Sequence, residues 1–136
     1  YSKNDINWIK KIVAKTVRLW VIFSLGGLLL LIFAPIVFKV WIGDRLEIPF
    51  ILSLFMLIYV LSLSFGSIFV MFINGIGKVK TQTITSFISP ILFLVLAYFF
   101  VKFLSFGIAG IVLAIVLANF YGPIIAPIQY LKIVKR

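Results

Sequence analysis

Residues able to do chemistry are scarce in the long uncharged parts of this sequence. Asn119 is the clearest polar residue well inside an apolar stretch, and Asn74 stands at the end of another. An amide in apolar surroundings either bonds a neighbouring helix or lines a polar pathway, and both interpretations are open for Asn119. Asn74 is interpreted first as a helix cap. Ser64, Ser67 and Ser89 are weaker candidates, because a serine hydroxyl can bond a carbonyl of its own helix.

The ionisable residues all lie outside those apolar stretches. The chain has 13 Lys and Arg against 3 Asp and Glu, giving a net charge of +10. It has no Cys and no His, which excludes disulfides, thiol catalysis and Cys/His zinc sites. We find no carboxylate pair within a membrane-facing cavity, no nucleophile–base set and no phosphate-binding loop. We therefore predict neither an enzyme nor a metal nor a cofactor, and no carboxylate proton relay within this stretch.

Four long apolar helices must carry the few polar residues. The chain is 64% hydrophobic and 12% charged, whereas soluble domains are about 45–50% apolar and about 25% charged. About 20 apolar residues cross the roughly 30 Å of bilayer hydrocarbon, and Ile48–Ile73 alone gives 26 residues without a charge. We predict an all-α transmembrane fold, a four-span helical bundle. The expected spans cover about residues 19–41, 48–74, 82–102 and 105–130.

The ends of these spans carry recognisable signals. Asp44 and Glu47 have the spacing of a helix-start box, and Pro49 is tolerated in a first turn. The sequence Asn-Gly-Ile-Gly at 74–77 predicts a helix stop, because Asn and Gly accept left-handed backbone angles.

Prolines predict distortions within the spans. Pro90 should bend the third span, because it removes a backbone hydrogen bond, and Pro123 and Pro127 should distort the last third of the fourth span.

The segments outside the spans are short and basic. Residues 1–18 form an amphipathic arm that is either an interfacial helix or the extension of a long first helix. Residues 131–136 form a basic tail. Counting Lys and Arg on alternate sides gives ten with the two termini and three on the other side, which predicts that both termini are cytoplasmic. Because membrane orientation accounts for these charges, the expected partner is the lipid bilayer and no nucleic acid.

Small residues recur at four-residue spacing in the fourth span. Such residues let helix backbones approach closely in a membrane, so we predict a helix-packing face, with a smooth sliding surface as the alternative. A shorter version of this pattern occurs in the second span. The packing residues are Gly110, Ala114, Ala118 and Gly122, together with Ser62 and Gly66.

Several stretches resemble bacterial polysaccharide flippases. APIVFKVWIG at 34–43, followed by Ile48-Pro49, resembles the end of a span in these proteins, and FINGIGKVKTQ at 72–82 resembles the loop after their next span. The pattern continues in residues 106–110 and 127–130 and covers essentially the whole chain. The family is the Wzx-type O-antigen and capsule flippases, within the multidrug/oligosaccharidyl-lipid/polysaccharide exporter superfamily.

This resemblance implies a roughly twelve-span transporter with two bundles around a central cavity. Such a protein moves an undecaprenyl-pyrophosphate-linked oligosaccharide across the bacterial inner membrane for polysaccharide biosynthesis. These four spans would match its C-terminal part, and a chain that starts with Tyr1 rather than Met fits that expectation. The implied partners are the lipid-linked oligosaccharide and the remaining N-terminal helices. The charged residues expected in the family's cavity have no counterpart inside these spans.

Lys78 and Lys80 lie at the predicted cytoplasmic face. They either attract the anionic pyrophosphate of the lipid carrier or simply set the topology. With Asn74 and Asn119 they are our candidate residues of the substrate pathway. Two other functions fit the same helices: a multidrug exporter of the same superfamily, and a stand-alone four-span scaffold or subunit.

Overall fold

Four helical spans make up the described chain. The computed structural model describes residues 3–43 and 48–135. Each span is long and apolar enough to cross a membrane, which indicates a multi-pass membrane protein and confirms the all-helical, four-span prediction. The first three spans are α1 (Lys3–Ile42), α2 (Phe50–Gly75) and α3 (Lys80–Lys102). The fourth span consists of α4 (Gly107–Ala118), a π-helical turn (Tyr121–Ile125) and α5 (Ala126–Val134).

The first helix is unbroken over 40 residues. Residues 3–18 therefore continue the first span, which is the second of the two interpretations of the arm. Val13, within this extension, is buried in a cluster with Phe69, Ile73 and Tyr130. α1 also contacts α2 through Trp20, whose indole N–H donates to Ser64 Oγ over 3.1 Å.

The second helix ends in a hydrogen-bonded turn. Gly77 adopts a left-handed φ of 73°. The Lys78 N–H donates to the Ile73 carbonyl over 3.2 Å, and the Gly77 N–H donates to the Asn74 carbonyl over 3.0 Å. This pair of bonds defines a Schellman motif, which satisfies carbonyls at a helix end. The stop occurs where the sequence predicts it, with Gly77 rather than Asn74 in the left-handed conformation.

The other predicted end signals have different outcomes. α2 begins at Phe50 directly after Pro49, while the predicted start box at Asp44 and Glu47 lies outside the described residues. α3 remains helical through Pro90. The distortion expected near Pro123 is present as the π-helical turn.

The fourth span lies between α2 and α3 and packs against both. A Cβ added at Gly66 of α2 would lie 2.5 Å from the carbonyl carbon of Gly122, so these two backbones touch. A Cβ added at Gly110 would instead lie 3.0 Å from Phe100 Cβ of α3. Residues four apart on an α-helix are offset by about 40° around its axis. The row of small residues in the fourth span therefore winds around its axis. The row packs against α3 at Gly110 and against α2 at Gly122.

The cluster of buried residues around Ile73 and most of the positive charge lie towards one end of the bundle. α1 begins there, α2 ends there, α3 begins there and α5 ends there, so the alternating helix directions bring their basic flanks together. Eight basic residues with described side chains fall at this basic end, against Lys39 and Lys102 at the other. The eight are Lys10, Lys11, Lys15, Arg18, Lys78, Lys80, Lys132 and Lys135.

Candidate functional site

A groove opens between α2 and α3, which make little direct contact with each other. Its volume is about 430 Å³, its walls are α2 and α3, and its floor is the break in the fourth span. No charged side chain lines it within the described part of the chain. The polar lining residues are Tyr59, Ser62, Ser67, Gln82, Thr85, Ser86, Ser89, Asn119 and Tyr121.

The floor of the groove is a discontinuity in the fourth span. α4 ends at Ala118, and Asn119 leaves helical geometry with φ −84° and ψ 34°. Pro123 has no N–H, so it cannot bond the Asn119 carbonyl as an ordinary residue four positions later would. The π-helical turn then absorbs the mismatch before α5 resumes. Irregular backbone at membrane depth is tolerated only where protein buries it or where it lines a cavity.

A second proline faces the same groove from α3. Pro90 and Ser86 both line it. Because Pro90 also lacks an N–H, the Ser86 carbonyl loses its regular helical donor. The groove therefore adjoins two backbone carbonyls, those of Ser86 and Asn119, that have no ordinary intrahelical partner.

Four of the polar residues that line the groove direct their side-chain donors at their own helices. The hydroxyls of Ser67 and Ser86 donate to carbonyls in the preceding turn, each over 2.8 Å. The Asn119 Nδ2 group donates to a carbonyl one turn back over 3.0 Å, and Thr85 behaves in the same way. These bonds use the donors and leave oxygen lone pairs. These four residues consequently present mainly hydrogen-bond acceptors to the groove, while the hydroxyls of Tyr59, Ser62 and Ser89 make no hydrogen bond among the described residues and can also donate.

Gln82 adds an acceptor that the described residues do not satisfy. Its Oε1 atom is buried and has no hydrogen-bond partner among them. Leaving such an atom unpaired costs about 1–3 kcal/mol. A ligand that donates a hydrogen bond to Gln82 would remove that cost. The uncharged polar lining therefore complements an uncharged molecule rich in hydroxyl groups better than it complements an anion.

The four residues predicted for the substrate pathway do not converge. Asn119 lines the groove, whereas Asn74 is exposed at the end of α2. Lys78 and Lys80 are exposed at the basic end.

The predicted packing residues divide between the core and the groove. Gly110, Ala114, Ala118 and Gly66 are buried. Ser62 and Gly122 line the groove.

Sequence reasoning missed most of the α3 wall. Gln82, Ser86 and Ser89 are spaced by four and three residues, which places them on one helix face. This spacing is a readable signal of a polar face within an apolar helix.

Comparison with known proteins adds no relative. No family model, curated protein or solved structure matches the chain. The geometry of the groove is therefore the basis for assigning a function.

Proposed function

We propose that this chain is the C-terminal part of a bacterial inner-membrane flippase. Its cargo is an undecaprenyl-pyrophosphate-linked oligosaccharide used for O-antigen or capsule biosynthesis. The uncharged polar groove between α2 and α3 supports this proposal best. Sugar units carry many hydroxyl donors, which complement acceptors such as Gln82 Oε1 and the Asn119 side-chain oxygen.

The depth of the groove suits a transport pathway. Pro90 lies halfway along α3, and Asn119 lies near the middle of the fourth span. Transporters commonly place their substrate sites near the bilayer midplane, where discontinuous helices expose backbone groups. A polar groove on the lipid-facing outside of a protein would be costly, because lipid offers no hydrogen bonds.

The wider architecture follows from the same proposal. The groove is open on one side, and the remaining N-terminal helices of a roughly twelve-span, two-bundle transporter would close it around a central cavity. The basic end then faces the cytoplasm, with both termini on that side.

Loss of polysaccharide export tests the proposal. The variants Gln82→Leu and Asn119→Leu are introduced into the complete gene, in cells that depend on it for surface polysaccharide. Removing one acceptor should reduce export by about 5- to 150-fold, corresponding to about 1–3 kcal/mol per lost hydrogen bond. Surface polysaccharide is measured by immunoblotting, and membrane protein levels are measured in parallel.

Thr83→Leu is the matched control, because Thr83 lies in the same turn of α3 and is exposed but does not line the groove. Normal export in both groove variants at normal protein levels would refute the proposal. Loss of cationic-dye export with intact polysaccharide would instead indicate a multidrug exporter. No effect on either cargo would favour a scaffold.

A further inference from the structure

A second, smaller cavity lies at the basic end of the bundle. It is formed where the start of α1, the end of α2 and the end of α5 meet, and its volume is about 210 Å³. One lining residue, Lys78, is charged, and the other six are apolar. The apolar six are Ile6, Ile9, Phe72, Ile76, Ile133 and Val134.

The backbone of Lys78 is fixed at the edge of this cavity. The Gln129 Nε2 group donates to the Lys78 carbonyl over 3.3 Å, and the Tyr121 hydroxyl donates to Gln129 Oε1 over 3.3 Å. The Schellman turn holds the Lys78 N–H as well. A lysine whose backbone is already held loses less freedom when its side chain binds a ligand.

The cavity lies at the level where the apolar surface of the bundle ends. α3 becomes uncharged immediately after Lys80, and the first charge of the fourth span is Lys132. Further along α1, Lys15 and Arg18 are both exposed. Side chains on an α-helix lean towards its N-terminus, which on α1 means towards this same level. The charges of Lys78, Lys80 and Lys132 and the cavity mouth therefore lie at one boundary between apolar and polar surroundings, and the side chains of Lys15 and Arg18 extend towards it from α1.

We propose that this cavity binds one anionic phospholipid of the surrounding leaflet, a site separate from the groove and independent of the transported cargo. The phosphate lies at the Lys78 ammonium group, and the first methylenes of one acyl chain lie against Ile76 and Ile133. Each Lys or Arg near an anionic membrane surface contributes about 1 kcal/mol of attraction, and the basic end concentrates eight of them. The apolar walls require a ligand with a hydrocarbon part, and the leaflet supplies one at this level.

Occupation of the cavity should stabilise the bundle. A ligand that binds the folded chain and not the unfolded chain raises the unfolding temperature as its occupancy rises. This lipid would join three helix ends that belong to different spans.

Thermal unfolding in defined bilayers tests the site. The chain is reconstituted in nanodiscs of phosphatidylcholine, alone or mixed equally with phosphatidylglycerol, and native mass spectrometry counts the lipids it retains. Phosphatidylglycerol should raise the unfolding temperature of the wild type. Lys78→Gln should weaken phosphatidylglycerol binding about five-fold, which corresponds to the loss of about 1 kcal/mol.

Lys102→Gln is the matched control, since it removes the same charge from the opposite end of the bundle. Ile133→Gln, which puts a polar group in the apolar wall, should weaken binding without changing the net charge. Equal stability of the wild type in both lipids would overturn the proposal, as would equal effects of Lys78→Gln and Lys102→Gln. Glycerol phosphate should leave the unfolding temperature unchanged, because it has no acyl chain. If glycerol phosphate raises the unfolding temperature as much as phosphatidylglycerol does, the proposed contact between the acyl chain and the apolar wall is wrong.

Discussion

Replacing Gly66 with alanine should push α2 away from the fourth span. A Cβ at position 66 would lie 2.5 Å from the carbonyl carbon of Gly122, 2.6 Å from its Cα and 2.9 Å from its carbonyl oxygen. All three are backbone atoms, so no side-chain rotation can make room. Carbon atoms in ordinary contact are about 3.5–4.0 Å apart, and the two helices must therefore separate by about 1 Å.

The size of the effect follows from two opposing terms. Overpacking at a close contact costs about 1–3 kcal/mol, and alanine gains about 1 kcal/mol over glycine from helix propensity. The expected result is a net loss of about 1 kcal/mol for Gly66→Ala. Gly26→Ala should gain the helix propensity of alanine without an overpacking cost, because nothing lies within 4 Å of a Cβ at that position. Gly122→Ala should be milder than Gly66→Ala, since its Cβ would lie 3.4 Å from the nearest Gly66 atom.

Thermal unfolding of the purified chain in detergent measures this order. Tryptophan fluorescence and circular dichroism can both follow the transition, because the chain has 3 Trp and is helical. The expected order of unfolding temperature, from highest to lowest, is Gly26→Ala, then Gly122→Ala, then Gly66→Ala. A Gly66→Ala variant that unfolds at or above the temperature of Gly26→Ala would show that the two backbones do not touch.

Three further perturbations test the packing and the orientation. Ile73→Ala removes the largest fully buried side chain of the described residues and should cost about 2–5 kcal/mol, whereas Ile91→Ala, at a site 66% exposed, should leave the unfolding temperature in detergent nearly unchanged. Trp20→Phe keeps an aromatic ring but loses the indole donor to α2 and should cost about 0.5–1.5 kcal/mol. Trp41→Phe, at a site 79% exposed, is its control, and equal stabilities would contradict a direct bond between α1 and α2. Since the chain has no cysteine, single Cys variants report orientation: with both termini cytoplasmic, Lys135→Cys should resist an impermeant thiol reagent in intact cells and Trp41→Cys should react, and the reverse pattern would invert the topology.

Hydropathy and end signals make the spans predictable from the sequence. The uncharged stretches determine their number, and the Asn-Gly-Ile-Gly run determines the end of α2, because the Schellman turn needs only local backbone geometry. Pro123 marks the distortion of the fourth span for the same local reason. These features depend on residues close in sequence, and such features can be read without knowing which helices are neighbours.

The pairing of helices cannot be read in this way. In a soluble protein the apolar stripe of a helix indicates its buried face. Here both the lipid-facing and the buried faces are apolar, so the pattern does not show that Gly122 meets Gly66 while Gly110 meets α3. The groove depends on that pairing, which explains why the sequence points to Asn119 and not to Gln82. The spacing of Gln82, Ser86 and Ser89 marks a polar face of α3, but only the pairing of the helices shows that this face lines the same groove as Asn119.

The π-helical turn determines where a single residue can be deleted from the fourth span without rotating α5. A π-helical turn holds one residue more than an α-helical turn, so residues 121–125 accommodate an extra residue without rotating α5. Removing one residue from α4 would turn α5 by about 100° relative to α2 and carry Ala126 and Tyr130 out of the core. Removing Pro123 itself should instead leave one uninterrupted helix with both residues still against α2. On this reasoning the π-helical turn is a single-residue insertion that opens the floor of the groove while it keeps Ala126 and Tyr130 in the buried cluster.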